Sequence, residues 1–256
     1  MRPKGIDDLN KIVILNPKGG SGKTTVATNL ASIYALRSPP PTLIDCDPQG
    51  FCLRWLNKRA PTRPRIHGIA AVDEAPASFL ASTQHVPADS RTLIFDLPAA
   101  IPAENLYSYT HFADRILIPI APSSIDVHAA AQLIGELLLD VQLDRRERKV
   151  AIIANRVNAQ TRSFKMLMRF LTSLEIPVVS VLRDSQNYVT AAGLGMGVCE
   201  LPAYKVRDDI LCWKAILAWL DRRESPSSTM DAKHPAFSHY DGDEAFQRPT
   251  RGQPNS

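Results

Sequence analysis

The stretch NPKGGSGKTT, residues 16–25, decides the fold of this chain. It follows an apolar run from Ile12 to Leu15 and leads into VATNLA, residues 26–31, which has the composition of a helix. A strand, a glycine-rich turn and a helix form the context in which backbone N–H groups and a helix N-terminus bind phosphate. We therefore expect Lys23 to reach the β- and γ-phosphates of a nucleotide and Thr24 to offer its hydroxyl to Mg²⁺.

The loop departs from the strict phosphate-loop pattern at its first position, where Pro17 stands in place of glycine. An additional lysine, Lys18, precedes the glycine pair, and the form KGGSGKTT resembles the deviant Walker A box of the ParA/MinD ATPases. The resemblance implies that Lys18 crosses a dimer interface to the partner's nucleotide and acts in catalysis with Lys23. The residues expected to bind the nucleotide are Gly19, Gly20, Ser21, Gly22, Lys23, Thr24 and Thr25. The alternative interpretation is a glycine-rich turn with two surface lysines.

Two aspartates close the next apolar run, TLIDCDPQG at residues 42–50. Asp45 and Asp47 are separated by one residue, and residues at this spacing point to the same side of a strand. The chain is also turning here, so both carboxylates can face one site. The string resembles the switch I segment of the same family. The resemblance implies that Asp47 holds and polarises the attacking water and that Asp45 supports Mg²⁺. Taken alone, the two aspartates would be solvated residues at the end of a strand.

A third apolar run, RTLIFDLPA at residues 91–99, ends in Asp96. A carboxylate at the carboxyl end of a buried strand is the Walker B arrangement that holds a magnesium ion. The segment resembles the family's switch II, although Ala99 replaces its second proline, which bears on the stiffness of the switch. Without the other motifs, an apolar strand ending in aspartate would be unremarkable.

The resemblance suggests further positions around the nucleotide. Asn155 ends the apolar run VAIIANR, residues 150–156, and its amide offers both a donor and an acceptor to an adenine edge. A strand-end turn residue is the alternative for Asn155. Pro202 falls where the family has an adenine-side loop, and Asp126 lies in a predicted helix, residues 125–140, near the family's dimer contacts.

Strand-like runs alternate with helical patterns along the chain. This pattern favours an α/β fold with a doubly wound, mainly parallel sheet flanked by helices, the P-loop NTPase architecture. We expect a flexible N-terminus at residues 1–10, the ATPase domain at 11–223, and a disordered tail at 224–256 rich in Pro, Ser, Gly, Asp and His. Between residues 60 and 90 the pattern is weak, and a short strand and a helix around residues 75–83 are predicted.

Composition narrows the class of protein. The 256 residues are 45% hydrophobic and 22% charged, which is typical of a globular domain, and no apolar run is long enough to span a membrane. The start of the chain has no secretory signal, so a cytoplasmic location is expected. The four cysteines form no CxxC pair, which favours reduced thiols over a metal site.

A formal net charge of +4 permits an acidic partner without requiring one. Basic residues are frequent in the C-terminal third, where they could contact DNA phosphates irrespective of sequence. The candidates are Arg162, Lys165, Arg169, Arg183, Lys205 and Arg207. A solvated basic face is the alternative for each of them.

The resemblance to ParA-type partition ATPases covers about residues 10–220. It implies a homodimer that forms with ATP and Mg²⁺, binds nucleoid DNA non-specifically, and is released when a ParB-like or cargo-adaptor protein stimulates hydrolysis. Such ATPases position plasmids, chromosomes or protein assemblies such as carboxysomes and chemotaxis clusters. The chain begins close to the loop, so we expect no N-terminal helix-turn-helix domain.

Four other classes of protein share parts of this pattern. A MinD-like membrane ATPase should end in an amphipathic basic helix, whereas this tail contains four prolines and no apolar face. An iron–sulfur reductase needs cysteines after the Walker B strand, and residues 97–198 contain none. A tyrosine autokinase would carry a tyrosine-rich tail, and only Tyr240 is present there. A nucleotide-gated scaffold with little turnover remains an alternative, because Ala99 in place of the second proline could impair the switch.

Overall fold

The computed structural model describes residues 9–37, 39–71, 83–99, 101–139, 141, 149–174 and 176–222. The strands are β1 (Asn10–Ile14), β2 (Thr42–Asp45), β3 (His67–Ala70), β4 (Thr92–Asp96), β5 (Arg115–Ile120), β6 (Val150–Val157) and β7 (Val178–Arg183). The helices are α1 (Lys23–Arg37), α2 (Phe51–Asn57), α3 (Ala103–His111), α4 (Ser124–Leu139), α5 (Arg162–Ser173), α6 (Gln186–Gly193) and α7 (Ala203–Leu220). Short 3₁₀ turns lie at Thr83–His85 and Val198–Glu200.

The seven strands form one sheet in the order β3-β2-β4-β1-β5-β6-β7, and every neighbouring pair is parallel. The central strand β1 pairs with β4 on one side and with β5 on the other. The chain builds β2, β3 and β4 on one side of β1 before it crosses to β5, β6 and β7. The strand order therefore reverses at β1, which opens a crevice at the carboxyl end of that strand.

Helices cover both faces of the sheet, so alternate residues of each strand pack in two different cores. Ile14 packs in one core with Leu30 of α1 and Trp213 of α7. Val13 packs in the other with Leu133 of α4 and Leu167 of α5. Strands buried on both faces read as continuous apolar runs, which is why β1, β4 and β5 are recognisable in the sequence.

The predicted doubly wound α/β fold is confirmed, and the short strand expected between residues 60 and 90 is β3 at the edge of the sheet. The helix predicted around residues 75–83 lies almost entirely outside the described residues, as do residues 1–8 and the predicted tail from 224 onward. Within the described ranges, no helix combines the length and apolar character required to span a membrane.

Candidate functional site

The loop between β1 and α1 is anchored at its beginning by Asn16. This side chain is fully buried, and its amide nitrogen donates to the carbonyl of Pro119 in β5 at 2.7 Å. Its amide oxygen accepts from the backbone N–H of Lys18 at 2.8 Å. Asn16 therefore holds the loop against the neighbouring strand before any ligand arrives.

The loop's end is anchored by Asn155 at the carboxyl end of β6. The Asn155 amide nitrogen donates to the carbonyl of Ser21 at 2.8 Å, and only 4% of Asn155 is exposed. Gly20 and Gly22 have φ values of +80° and +97°, a region that glycine reaches without strain. The loop is thus preformed, with Asn155 seated directly against Gly22. The contact of Asn155 with an adenine stays a prediction.

Replacing Gly22 with alanine should lower the free energy of unfolding of the nucleotide-free protein by about 2–4 kcal/mol. An added Cβ would lie 2.0 Å from the Asn155 amide nitrogen, and the positive φ would add backbone strain. Urea unfolding without nucleotide measures the effect. The matched variant is Gly19→Ala, whose Cβ would meet none of the described residues within 4 Å, and we expect it to change stability little. Equal stability of the two variants would contradict the interpretation.

Lys23, the first residue of α1, is a buried lysine that points back over the loop. Its ammonium donates to the carbonyls of Asn16 at 3.0 Å and Lys18 at 3.3 Å, and 7% of the residue is exposed. Burial lowers the pKa of Lys23, and the nearby Asp96 and Asp47 carboxylates oppose that shift. The loop therefore holds a poorly solvated cation that a polyanion would stabilise.

Asp96 ends β4 at the same edge of the sheet, beside Ile14 of β1 and Asp45 of β2. Its Oδ2 accepts from the Thr24 hydroxyl at 2.7 Å and from the Cys52 thiol at 3.1 Å. Its Oδ1 is buried, and none of the described residues forms a hydrogen bond with it. Burial raises the pKa of Asp96 to about 6, although the bonds from Thr24 and Cys52 lower it.

The two aspartates after β2 differ in their surroundings. Asp45 is fully buried, and its oxygens accept from the backbone N–H groups of Leu53 at 3.0 Å and Asp47 at 3.3 Å. Burial raises the pKa of Asp45. Asp47 is half-buried and accepts from the backbone N–H of Gln49 at 2.9 Å. Asp45 thus stabilises the turn into α2, while Asp47 stands nearer to solvent.

Lys18 lies at the mouth of the loop and is paired within the chain. Its ammonium is 3.3 Å from Oδ2 of Asp126, in the first turn of α4, and 34% of the lysine side chain is exposed. The Ser123 hydroxyl also bonds the Asp126 carboxylate. The structure therefore joins Lys18 to Asp126, two residues that the sequence suggested separately.

The structure gathers most of the predicted site at one edge of the sheet. The loop residues, Thr24, Asp45, Asp47, Asp96 and Asn155 all lie at the carboxyl ends of β1, β2, β4 and β6. Pro202 lies exposed before α7, next to a 3₁₀ turn whose Val198 N–H donates to the Asn29 side chain in α1. Asn16 and Cys52 were not predicted. The position of Asn16 at the loop start was the available signal for that residue.

The six basic residues proposed for DNA do not form one surface. Arg162, Lys165 and Arg169 are exposed on α5, and Lys205 and Arg207 are exposed on α7. These helices pack in different cores, on opposite faces of the sheet. Arg183 makes two hydrogen bonds of 2.9 Å to Asp209 of α7, which is 1% exposed.

Arg183 is consequently expected to matter for stability. Arg183→Ala should lower the free energy of unfolding by about 2 kcal/mol, because it leaves the buried Asp209 carboxylate without its cation. The value is below that of a fully buried pair, since the Arg183 side chain is 41% exposed. Thermal and urea unfolding measure it, with the exposed Lys205→Ala as a control that should change stability by less than about 0.5 kcal/mol. Loss of DNA binding in Arg183→Ala would indicate a contact between Arg183 and DNA only if the variant is folded.

Comparison with known proteins identifies the family. Residues 12–198 match the model of the CobQ/CobB/MinD/ParA nucleotide binding domain. The maintenance of carboxysome distribution protein A of Halothiobacillus neapolitanus is 26% identical over 196 residues, which cover 75% of this chain and 88% of that protein.

Solved structures share the fold. An ATP complex of McdA from Cyanothece has a TM-score of 0.64 at 15% identity and covers 85% of this chain and 98% of its own. MinD of Aquifex aeolicus has a TM-score of 0.63 at 18% identity, with coverages of 84% and 99%. The resemblance inferred from the loop is confirmed, and the chain belongs to the CobQ/CobB/MinD/ParA nucleotide-binding family.

Proposed function

We propose that the chain is a Mg²⁺-dependent, ParA-type ATPase that dimerises with ATP, binds DNA without sequence preference and positions a cargo. The observation that carries the ATPase is the cluster of buried Lys23, half-buried Thr24 and buried Asp96 around a preformed glycine loop. The positioning role rests on the relatives, which include a maintenance of carboxysome distribution protein A and a ParA of Rhizobium radiobacter.

The residues present fit a magnesium ion. Thr24 offers a hydroxyl, and the buried Oδ1 of Asp96 lacks a partner within the described part of the chain, so the pair supplies the hard oxygen ligands that Mg²⁺ prefers. Mg²⁺ when bound would neutralise charge on the phosphate oxygens. Asp45 is proposed to support the Mg²⁺ site through the adjoining turn, whose backbone N–H groups its two oxygens accept.

The chain's own groups account for the remaining chemistry. The loop N–H groups and Lys23 stabilise the charge that develops on the phosphates, and they need little reorganisation because Asn16 and Asn155 already hold the loop. Asp47 orients the attacking water. Its carboxylate is half-buried and can reach a water molecule, whereas the Asp45 carboxylate is buried. Asn155 and Pro202 are proposed to lie beside the adenine.

Lys18 links the nucleotide to dimerisation. In the single chain, its ammonium pairs with Asp126. A phosphate of a nucleotide in a second copy would offer the exposed part of Lys18 a denser negative charge, so Lys18 exchanges partners as the dimer forms. Lys18→Ala should therefore bind ATP and stay monomeric, as measured by light scattering after size-exclusion chromatography.

DNA binding is the decisive test of the positioning role. The protein is titrated with long random-sequence DNA in ATP, ADP or no nucleotide, at two salt concentrations. We expect binding with ATP alone, weakened by salt because phosphate contacts release counterions. The partner would be a ParB-like or cargo-adaptor protein, and the protein would be found in the cytoplasm on the nucleoid.

Two sets of variants locate the surface. Lys205→Ala with Arg207→Ala removes charge from α7, and Arg162→Ala with Lys165→Ala and Arg169→Ala removes charge from the opposite helical layer. One set should abolish DNA binding on every sequence alike and leave ATP binding unchanged. If both sets of variants bind DNA as the unmodified protein does, the residues assigned to DNA binding are wrong. ATP-dependent binding to liposomes without DNA binding would favour the MinD-like alternative, and DNA binding without hydrolysis would favour a scaffold.

A further inference from the structure

Cys52 is a buried thiol in the first turn of α2, next to the site but outside every motif that identified it. None of its surface is exposed, and its thiol donates to Oδ2 of Asp96 at 3.1 Å. The same oxygen accepts from the Thr24 hydroxyl at 2.7 Å. A carboxylate oxygen has two lone pairs, so Thr24 and Cys52 together occupy this oxygen.

These bonds determine which Asp96 oxygen is left over. Asp96 is 1% exposed, and its Oδ1 has no hydrogen-bond partner among the residues that the structure describes. A buried oxygen without a partner is costly, and such an atom beside a phosphate loop is poised for a ligand. Rotation of the carboxylate would break the bond from Thr24, from Cys52 or from both.

Cys52 is also attached to the aspartate turn. Gly50 turns the chain with φ +62°, and its N–H donates to the carbonyl of Asp47 at 2.8 Å. Leu53, the neighbour of Cys52, donates its N–H to Asp45 at 3.0 Å. The thiol is therefore held by the same turn that presents Asp47, and a shift of this turn would move Cys52 relative to Asp96.

We propose that Cys52 is a positioning residue, which orients Asp96 toward the divalent cation and couples that orientation to the Asp45–Asp47 turn. The proposal rests on the proposed Mg²⁺-dependent ATPase and assigns to this site a residue that acts through Asp96. The competing explanation is that Cys52 fills space as a small apolar side chain.

Two substitutions at Cys52 separate these explanations. Cys52→Ser keeps a hydrogen-bond donor, whereas Cys52→Val has a similar volume and lacks one. The measurement is the Mg²⁺ concentration that gives half of the Mg²⁺-dependent gain in affinity for a fluorescent ATP, with affinity in EDTA as the metal-free reference. We expect Cys52→Val to raise this concentration three- to tenfold and Cys52→Ser to change it by less than twofold. Affinity in EDTA should be unchanged.

Another cysteine of the chain, Cys212, provides the control. Cys212 is a thiol in α7 that donates to the Val181 carbonyl at 3.3 Å, and Cys212→Val should leave the Mg²⁺ dependence unchanged. Thermal unfolding verifies that each variant is folded, and Cys52→Ala provides a second donor-free variant. Cys52→Val behaving as the unmodified protein, or Cys52→Ser shifting equally, would overturn the proposal. If Mg²⁺ does not change the ATP affinity of the unmodified protein, the proposed ATPase site itself is wrong.

Discussion

Lys23→Met should reduce affinity for ATP at least a hundredfold while the free protein stays folded. The ammonium of Lys23 is buried and bonded only to the carbonyls of Asn16 and Lys18 among the described residues. It is therefore available to a phosphate without breaking an ion pair. Loss of one partner of a buried charge pair costs about 2–5 kcal/mol, and 2.7 kcal/mol corresponds to a hundredfold. Titration of a fluorescent ATP measures the change.

A second buried lysine, Lys11 of β1, serves as the control for Lys23→Met. Lys11 is 7% exposed, like Lys23, but it lies near the start of β1 and pairs with Asp114 at 3.2 Å. Lys11→Met should lower stability and leave ATP affinity unchanged. If Lys23→Met binds ATP within tenfold of the unmodified protein, the phosphate contact assigned to Lys23 is wrong.

Asp96→Asn should raise the stability of the protein at pH 7 in EDTA, although it should weaken Mg²⁺-dependent ATP binding. Burial raises the pKa of Asp96 from 3.8 to about 6. The ionised carboxylate is thus disfavoured in the folded state, and a shift of two pKa units corresponds to about 3 kcal/mol at pH values above 6. Asparagine removes this cost, although its amide nitrogen would lie at the Oδ1 position, where the described residues offer no partner, so we expect a net gain of about 2 kcal/mol.

The pH dependence gives the sign of this effect. A group whose folded-state pKa is raised contributes most to stability below its unfolded pKa, and the contribution is lost as pH rises through the folded pKa. The advantage of Asp96→Asn should therefore be absent below pH 4, grow between pH 4 and 6, and be constant above. Urea unfolding at each pH measures it.

Asp209→Asn is the matched control, because Asp209 is as buried as Asp96 but is paired with Arg183. This variant should lose stability at pH 7. A loss of stability for Asp96→Asn as well would show that the ionised Asp96 is stabilised in the folded protein, and it would contradict the cost assigned to burying this carboxylate.

Local sequence determined much of this protein. The glycines of the loop, the apolar runs of β1, β2 and β4, and the aspartates that close two of them are patterns over fewer than ten residues. Parallel strands present their carboxyl ends at one edge, so the grouping of Lys23, Asp45 and Asp96 followed from the order of strands and helices. The family resemblance followed from the same short motifs.

Tertiary structure alone decided the contacts between residues far apart in the chain. The Cys52 thiol meets Asp96 across 44 positions, and Asn155 meets Ser21 across 134. Lys18 meets Asp126 only because β1 and β5 are neighbours. The candidate basic residues between positions 162 and 207 are divided between two helical layers, and Arg183 is bound to Asp209. Such pairings depend on how the helices pack against the sheet, and the residues flanking each partner in the sequence carry no signal of it.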